Sequence, residues 1–179
     1  TAPVPSTPAL PVPALSVLAL SVLFLSVLFL STPVPPALAQ DHGQRPAGPE
    51  ADPAALWEHI TLADDYKLWD PFPAHQGVNI GRAPHGPLHR VYVNDTGLSD
   101  LDAPLPPGTI IVKDNLSKLH ELQAVTVMYK IPGFAPDAGD WYWARYSPEG
   151  EPVKSGQVQD CIRCHRSRSA NDYVCVQPL

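Results

Sequence analysis

Charge is absent from the first 39 residues of this 179-residue chain, which contain no Asp, Glu, Lys or Arg. Basic residues are few in the rest, with 12 Lys and Arg against 18 Asp and Glu, so the formal net charge is −6 with His neutral. Nucleic-acid binding favours basic surfaces, so this balance argues against a nucleic-acid partner. It favours a protein whose partners are small molecules or a soluble redox protein of modest positive charge.

The uncharged segment holds an apolar run at residues 14–30, followed by Ala37-Leu38-Ala39. An apolar stretch followed by A-x-A is typical of a secretory signal peptide, so residues 1–39 are interpreted as one, with cleavage after Ala39. No Lys or Arg precedes the run and the first residue is Thr, so we expect this signal peptide to lack its start. The alternative is a retained membrane anchor, although a spanning helix usually needs about 20 apolar residues. We therefore expect export to the periplasm, with no stable membrane insertion after processing.

The remaining chain divides into a linker and one domain. Residues 40–52 combine Pro, Gly and charge without apolar periodicity, which is typical of a flexible linker. Asp52-Pro53 then predicts an N-cap with proline at the first helical position, opening a short amphipathic helix to about residue 63. Residues 76–87 are rich in Gly and Pro and are expected to form a long loop.

Strands follow this loop. Alternating and β-branched runs predict them at residues 88–94, 109–113, 122–131, 140–147 and 173–176. Between the last two, a short helix is expected after residue 157. Antiparallel strands with helices at both ends of the chain are an α+β arrangement.

Cysteine is scarce, and two of the three cysteines belong to Cys161-Ile162-Arg163-Cys164-His165. This sequence reads C-x-x-C-H, the attachment site of a c-type haem. Two thiols one helical turn apart can each add to a vinyl group on one porphyrin edge, and His165 can then bind the iron as proximal ligand. Export supports this interpretation independently, because covalent haem attachment happens outside the cytoplasm. The alternative is a zinc site built from Cys161, Cys164, Cys175 and a histidine, but structural zinc usually takes two separated ligand pairs.

The third cysteine and the single methionine carry weaker hypotheses. Cys175 lies between two valines, so we expect a buried thiol at a strand end, the alternative being an intermolecular link. Met128 could supply a thioether sixth ligand, which would make the protein a six-coordinate electron-transfer cytochrome. Alternation places Met128 on one strand face with Ala124 and Thr126, where filling the core is the more common role of methionine.

Several short blocks follow one another in the mature chain: residues 84–86 (PHG), 91–94 (VYVN), 108–115 (GTIIVKDN), 126–130 (TVMYK), 140–143 (DWYW), the C-x-x-C-H sequence and 171–174 (NDYV). Their order over residues 53–179 resembles the cytochrome P-460 family. Members of that family include the hydroxylamine-oxidising cytochromes P-460 and the gas-binding cytochromes c′-beta.

The resemblance implies a mainly antiparallel β-sheet with flanking short helices and a C-terminal haem-attachment helix, often in a homodimer. It implies one covalently attached haem c at residues 53–179. The iron would be five-coordinate, with His165 proximal and an open distal face for a small nitrogen-oxide ligand, nitric oxide or hydroxylamine.

The resemblance also implies roles for Lys113 and His89. In hydroxylamine-oxidising members a lysine in a G-T-x-x-V-K context is cross-linked to the porphyrin edge, which corresponds to Lys113 here. Asp114-Asn115 then follow, as in a broad subgroup in which the lysine alone does not establish a cross-link. The alternative for Lys113 is a solvated lysine at a strand end. His89 matches a basic residue near the pocket of those members.

Other side chains are candidates for the haem pocket, but the sequence pattern does not decide between a pocket role and a structural one. Each further histidine considered could be a distal base or sixth ligand, or could be solvated: His75, His85 and His120. Aromatic residues could wall the pocket or fill the core: Phe72, Tyr129, Trp141 and Trp143. Asp172 and Arg145 could hydrogen-bond haem propionates or the proximal histidine.

Functions of different classes remain open at this point. One is a binding or scavenging protein of the c′-beta kind, whose apolar distal pocket favours nitric oxide. Another is an enzyme that oxidises hydroxylamine or nitric oxide and passes electrons to a soluble acceptor, with the Lys113 cross-link altering the haem. A third is electron carriage by a six-coordinate iron.

Overall fold

A six-stranded antiparallel sheet forms the centre of the computed structural model, which describes residues 48–175. The predicted α+β class is confirmed. The predicted signal peptide, and the part of the predicted linker up to residue 47, lie outside the described residues. Within residues 48–175, no helix is long and apolar enough to cross a membrane.

The strands lie side by side in sequence order, and each pairs antiparallel with the next. Their bounds are β1 Val78–Ile80, β2 Leu88–Val93, β3 Ile110–Leu116, β4 Leu122–Lys130, β5 Trp141–Tyr146 and β6 Pro152–Gly156. Antiparallel neighbours can be joined by short turns, as at residues 117–121 and 147–151, whereas the β2–β3 connection, residues 94–109, is long and contains a short helix.

Short helices flank the sheet. The first, α1 (Pro53–Glu58), begins at the predicted N-cap, where the Asp52 carboxylate accepts hydrogen bonds from the backbone N–H groups of Ala54 and Ala55. It continues as one π-helical turn, His59–Ala63, so the predicted end near residue 63 is confirmed. The others are α2 (Asp95–Ser99) and α3 (Gln159–His165), with 3₁₀ turns at Tyr66–Leu68, Pro136–Ala138 and Arg166–Asn171.

Both faces of the sheet are covered. On one face, Leu56 and Ile60 of the N-terminal helical segment pack on strand residues such as Val112 and Val127. On the other face, Ile162 of α3 packs against Met128 and Trp143. The register places Ile111, Met128 and Trp143 directly across from one another, so Met128 lies on the α3 face as alternation predicts.

Three elements differ from the sequence-based expectation. The stretch 76–87 contains the edge strand β1, whose Asn79 pairs with His89, and residues 152–156 form the opposite edge strand β6. Both are short and Gly- or Pro-flanked, which hides them in a sequence pattern. β3 also runs on to Leu116, beyond the predicted end at residue 113.

The predicted strand at residues 173–176 is wrong over its described part, residues 173–175. Asp172 and Tyr173 both have left-handed backbone conformations, with φ of 49° and 64°. Two consecutive left-handed residues turn the chain back on itself and exclude an extended strand. As a result Cys175 is exposed, and the prediction of a buried thiol at a strand end is wrong.

Candidate haem site

Helix α3 carries the C-x-x-C-H sequence on the α3 face of the sheet. Ile162 is 4% exposed and anchors the helix in the core cluster. Residues three apart lie on the same side of a helix, so Cys161 and Cys164 are neighbours one turn apart. Both are free thiols, Cys161 half-buried and Cys164 exposed. The helix therefore presents two free thiols one turn apart, followed at once by His165.

His165 ends α3, and its imidazole is held in one orientation. Nδ1 lies 2.7 Å from the backbone carbonyl oxygen of Tyr173, and the ring lies 4.7 Å from that of Trp143. A carbonyl can only accept, so Nδ1 carries the hydrogen and Nε2 keeps a free lone pair. Burial lowers the pKa of His165, which favours the same neutral form. A fixed tautomer with one free nitrogen is the usual arrangement of a metal-binding histidine.

The Tyr173 carbonyl is itself fixed by a buried ion pair. Both carboxylate oxygens of Asp172 lie within 2.7 Å of the Lys130 amine, and one also accepts from the Leu105 backbone N–H at 2.9 Å. The Asp172 carbonyl accepts from Trp141 Nε1 at 2.8 Å. The sequence allowed a hydrogen bond between Asp172 and His165 as one possibility, and the structure shows none. Asp172 instead holds the left-handed turn in place, and the carbonyl of the next residue, Tyr173, accepts the hydrogen bond from His165.

A small cavity of about 50 Å³ lies between α3 and the sheet. Its walls are largely apolar, with Ile111, Met128, Trp143 and Val174 beside Cys161 and His165. Two larger and more open spaces, of about 540 and 320 Å³, share His165 with it and also reach Cys164. These two volumes fall in the range of several hundred Å³ that is common for small-molecule and cofactor pockets.

Lys113 enters this cavity from the middle of β3. Its side chain is half-buried, and its amine makes no hydrogen bond or ion pair with any of residues 48–175. Burial lowers the pKa of Lys113, so its neutral, nucleophilic form is easier to reach than in water. The next residue, Asp114, points to the opposite face, where the hydroxyls of Tyr66 and Tyr92 donate to it. Only Lys113 of the pair therefore faces the cavity.

The candidate histidines lie in three different environments. His85 lines the same cavity as His165, with 6.1 Å between the two ring centroids. His89 is buried and stacks on His75, with 2.7 Å between their Nε2 atoms, facing the larger open space that Lys113 also lines. Burial, followed by the charge of Lys113, lowers the pKa of His85 and of His89 to about 4. His120 is exposed, in the turn between β3 and β4.

The aromatic candidates separate by face. Trp143 lines the cavity, and its buried Nε1 has no hydrogen-bond partner within the described residues. Phe72 and Trp141 belong to the core on the same face, whereas Tyr129 packs on the opposite face. Arg145 lies beside Cys161 in the third space. Pattern reasoning could not have assigned these roles, because they depend on contacts between distant parts of the chain.

The residues present fit a haem bound through His165. The free imidazole nitrogen of His165 could bind the iron, and the thiols of Cys161 and Cys164, which line the spaces around it, could attach the porphyrin. Trp143 Nε1 is a buried donor without a hydrogen-bond partner within the described residues. The zinc alternative has no such support. Among residues 48–175, no three His, Cys, Asp or Glu side chains group together to hold a metal ion.

The Lys130–Asp172 pair gives a testable consequence of this construction. Both side chains are less than a tenth exposed, so Lys130→Met leaves a buried carboxylate without its counter-charge. We expect a loss of about 3–5 kcal/mol in the free energy of unfolding, measured by denaturant titration of the haem-loaded chain. Adding Asp172→Asn should recover part of the loss, since asparagine tolerates the left-handed backbone.

The matched control Lys154→Met breaks only an exposed pair with Asp160 and should cost about 1 kcal/mol at most. Equal losses in Lys130→Met and Lys154→Met would contradict the assigned role.

Comparison with known proteins adds an independent finding. A family model for cytochrome P-460 matches residues 63–176, which is more than half of the chain. The match spans β1 to β6, Lys113 and the C-x-x-C-H helix. A comparison with curated proteins found no match. On this match, which agrees with its antiparallel sheet and with the donor groups around His165, the chain belongs to the cytochrome P-460 family, haem proteins that act on nitrogen compounds.

Proposed function

We propose that this protein is an exported, periplasmic c-type haem protein that binds a small nitrogen-oxide ligand, nitric oxide or hydroxylamine, at an iron held by His165. The orientation of His165 carries the proposal. Its Nδ1–H donates to the Tyr173 carbonyl at 2.7 Å, which leaves the Nε2 lone pair free at a cavity that Cys161 also lines. Bound haem supplies an iron that takes up such ligands and exchanges electrons with them.

Each protein group then has a defined part. Cys161 and Cys164 fix one porphyrin edge to α3, so that the helix sets the position of the ring relative to His165. The apolar walls formed by Ile111, Met128 and Val174 exclude water and offer no hydrogen-bond donors from their side chains. These three side chains suit nitric oxide, which needs no hydrogen bond, while the donors of Lys113 and Trp143 line other parts of the same cavity. The net charge of −6 suits a soluble redox partner with a basic surface.

Covalent attachment is tested by the cysteines. In the full chain matured with haem-attachment machinery, Cys161→Ser and Cys164→Ser should each lose one thioether, and the double variant should lose all covalent haem. Cys175→Ser is the matched control and should retain it, because Cys175 lies outside the C-x-x-C-H sequence. Mass spectrometry of the denatured protein reads out the result. Haem that extracts freely from the unaltered chain would contradict covalent attachment.

One observation favours a second candidate, a hydroxylamine-oxidising enzyme with a Lys113–haem cross-link. The Lys113 amine lies in the cavity without a hydrogen bond or ion pair to the described residues, and burial lowers its pKa. A buried amine in that condition is reactive towards a neighbouring electrophilic carbon. The binding protein remains the leading proposal, because no carboxylate lines the α3 cavity to accept protons from hydroxylamine.

Absorption spectra of the ferrous full chain separate the two candidates. We expect an ordinary c-type spectrum that shifts with nitric oxide, no turnover of added hydroxylamine, and the same spectrum in Lys113→Met. A strongly red-shifted Soret band that returns to its ordinary position in Lys113→Met would instead favour the cross-linked enzyme. The exposed Lys118→Met serves as control and should match the unaltered chain in either case. A chain that neither shifts with nitric oxide nor oxidises hydroxylamine would overturn both candidates.

A further inference from the structure

We propose that His85 is the second axial ligand of the haem iron in the ligand-free protein, and that a nitrogen-oxide ligand binds by displacing it. This inference rests on the proposed function, because it takes the iron to be held by His165. It replaces the vacant distal face that the family resemblance implies with a position closed by a protein side chain.

The hydrogen bonds of Asn115 fix the tautomer of His85. The Asn115 amide nitrogen donates to the Ala124 carbonyl at 3.1 Å and to the Thr126 hydroxyl at 3.2 Å. Its amide oxygen therefore faces His85, with 3.1 Å to Nδ1. Because that oxygen can only accept, His85 Nδ1 carries the hydrogen and Nε2 keeps the lone pair. This is the arrangement that the Tyr173 carbonyl imposes on His165.

The two imidazoles are spaced for one metal atom. Both line the α3 cavity, and their ring centroids lie 6.1 Å apart, with ring planes at 80°. Metal–imidazole bonds, as known for zinc, are about 2.0–2.1 Å, and a ring centroid lies about 1.1 Å beyond its nitrogen. Two imidazoles on opposite sides of one metal therefore have centroids about 6 Å apart. The observed separation matches that value.

Other donors at the cavity fit this position less well. The Nε2 atoms of His75 and His89 face each other at 2.7 Å, so each is engaged by the other ring. The Met128 side chain is packed in the core cluster beside Trp143. Lys113 has no hydrogen bond within residues 48–175 that would aim its amine. Nδ1 of His89 is buried without a hydrogen-bond partner within the described residues, but His89 does not line the α3 cavity. Of Lys113, Met128 and His85, which do line it, only His85 has a hydrogen-bond partner that orients a free lone pair.

The loop that carries His85 is held close to β3. Its ends are joined by a hydrogen bond from the Gly81 N–H to the Pro87 carbonyl at 2.8 Å. Gly86 adopts φ of +79°, and a side chain there would come within 3.0 Å of the Leu116 carbonyl. The position therefore requires glycine, and the loop keeps His85 at the end of β3, next to Asn115.

Displacement by an external ligand breaks one iron–nitrogen bond to His85 and forms one bond to the ligand, without electron transfer. The apparent affinity for the ligand is then lowered by the fraction of protein in which the site is open. If about 1% of the iron is open, removing His85 should raise the apparent affinity about 100-fold. Ligands that bind iron strongly enough to displace His85 would bind, and weaker ligands would not.

The test compares spin states in the haem-loaded full chain by absorption and electron paramagnetic resonance. The unaltered chain should be six-coordinate and low-spin, and His85→Ala should be high-spin and bind nitric oxide at least tenfold more tightly. Added imidazole should restore the low-spin signal of His85→Ala. His120→Asn is the matched control, since His120 is exposed and asparagine tolerates its φ of 64°. It should leave every signal unchanged.

Several results would overturn the inference. These are a high-spin unaltered chain, a low-spin His85→Ala, or loss of the low-spin signal in Lys113→Met or Met128→Leu instead. If His85→Ala does not accumulate, near-infrared magnetic circular dichroism of the unaltered chain decides, because it distinguishes bis-histidine iron from histidine–methionine and histidine–lysine iron.

The inference and the proposed function fail separately. A high-spin unaltered chain that binds nitric oxide overturns the role of His85 alone. A low-spin chain whose His85→Ala variant becomes high-spin, yet binds neither nitric oxide nor hydroxylamine, overturns the proposed function alone.

Discussion

The hydrogen bond from His165 Nδ1 to the Tyr173 carbonyl is the contact on which the site depends. It selects the tautomer of His165 and leaves the Nε2 lone pair free to bind the proposed iron. The carbonyl can occupy its position only because Asp172 and Tyr173 adopt left-handed conformations, which cost energy in non-glycine residues. The buried pair of Lys130 with Asp172 offsets that cost and joins the turn to β4. A strained turn, a buried charge pair and the imidazole that we propose as iron ligand thus form one connected unit.

The sheet separates this unit from the rest of the core. Successive residues of β3 point to opposite faces of the sheet. Lys113 lines the α3 cavity and Asn115 contacts His85 on the same face, whereas Asp114 lies on the other face. There Asp114 accepts hydrogen bonds from Tyr66, Tyr92 and Lys67, which secures the N-terminal helical segment to the sheet. The fold can therefore be stabilised on one face while the other face keeps an open, apolar space. Asn115 contributes both to the sheet and to the site, because its amide nitrogen donates to β4 and its amide oxygen orients His85.

Local patterns predicted much of this arrangement. The Asp52-Pro53 cap, the strands of residues 88–147 and the placement of Met128 follow from spacing and alternation. The short helix that was expected to carry the C-x-x-C-H sequence is present as α3, whereas the haem roles of Cys161, Cys164 and His165 stay predictions. The edge strands β1 and β6 escaped detection because three to five residues with Gly or Pro carry little periodicity. The position of Cys175 was predicted wrongly because the neighbouring sequence gives no sign that Asp172 and Tyr173 adopt left-handed conformations. The partners of His165 and His85 lie 8 and 30 residues away, and only folding brings them together.

The most direct test of the account is a crystal structure of the haem-loaded full chain. The account predicts an iron bonded to His165 Nε2, with Nδ1 still donating to the Tyr173 carbonyl and one porphyrin edge joined to Cys161 and Cys164. The porphyrin should occupy the spaces that adjoin His165 and Cys164, next to Trp143. An iron bound through another residue, or a porphyrin lying outside those spaces, would contradict the account.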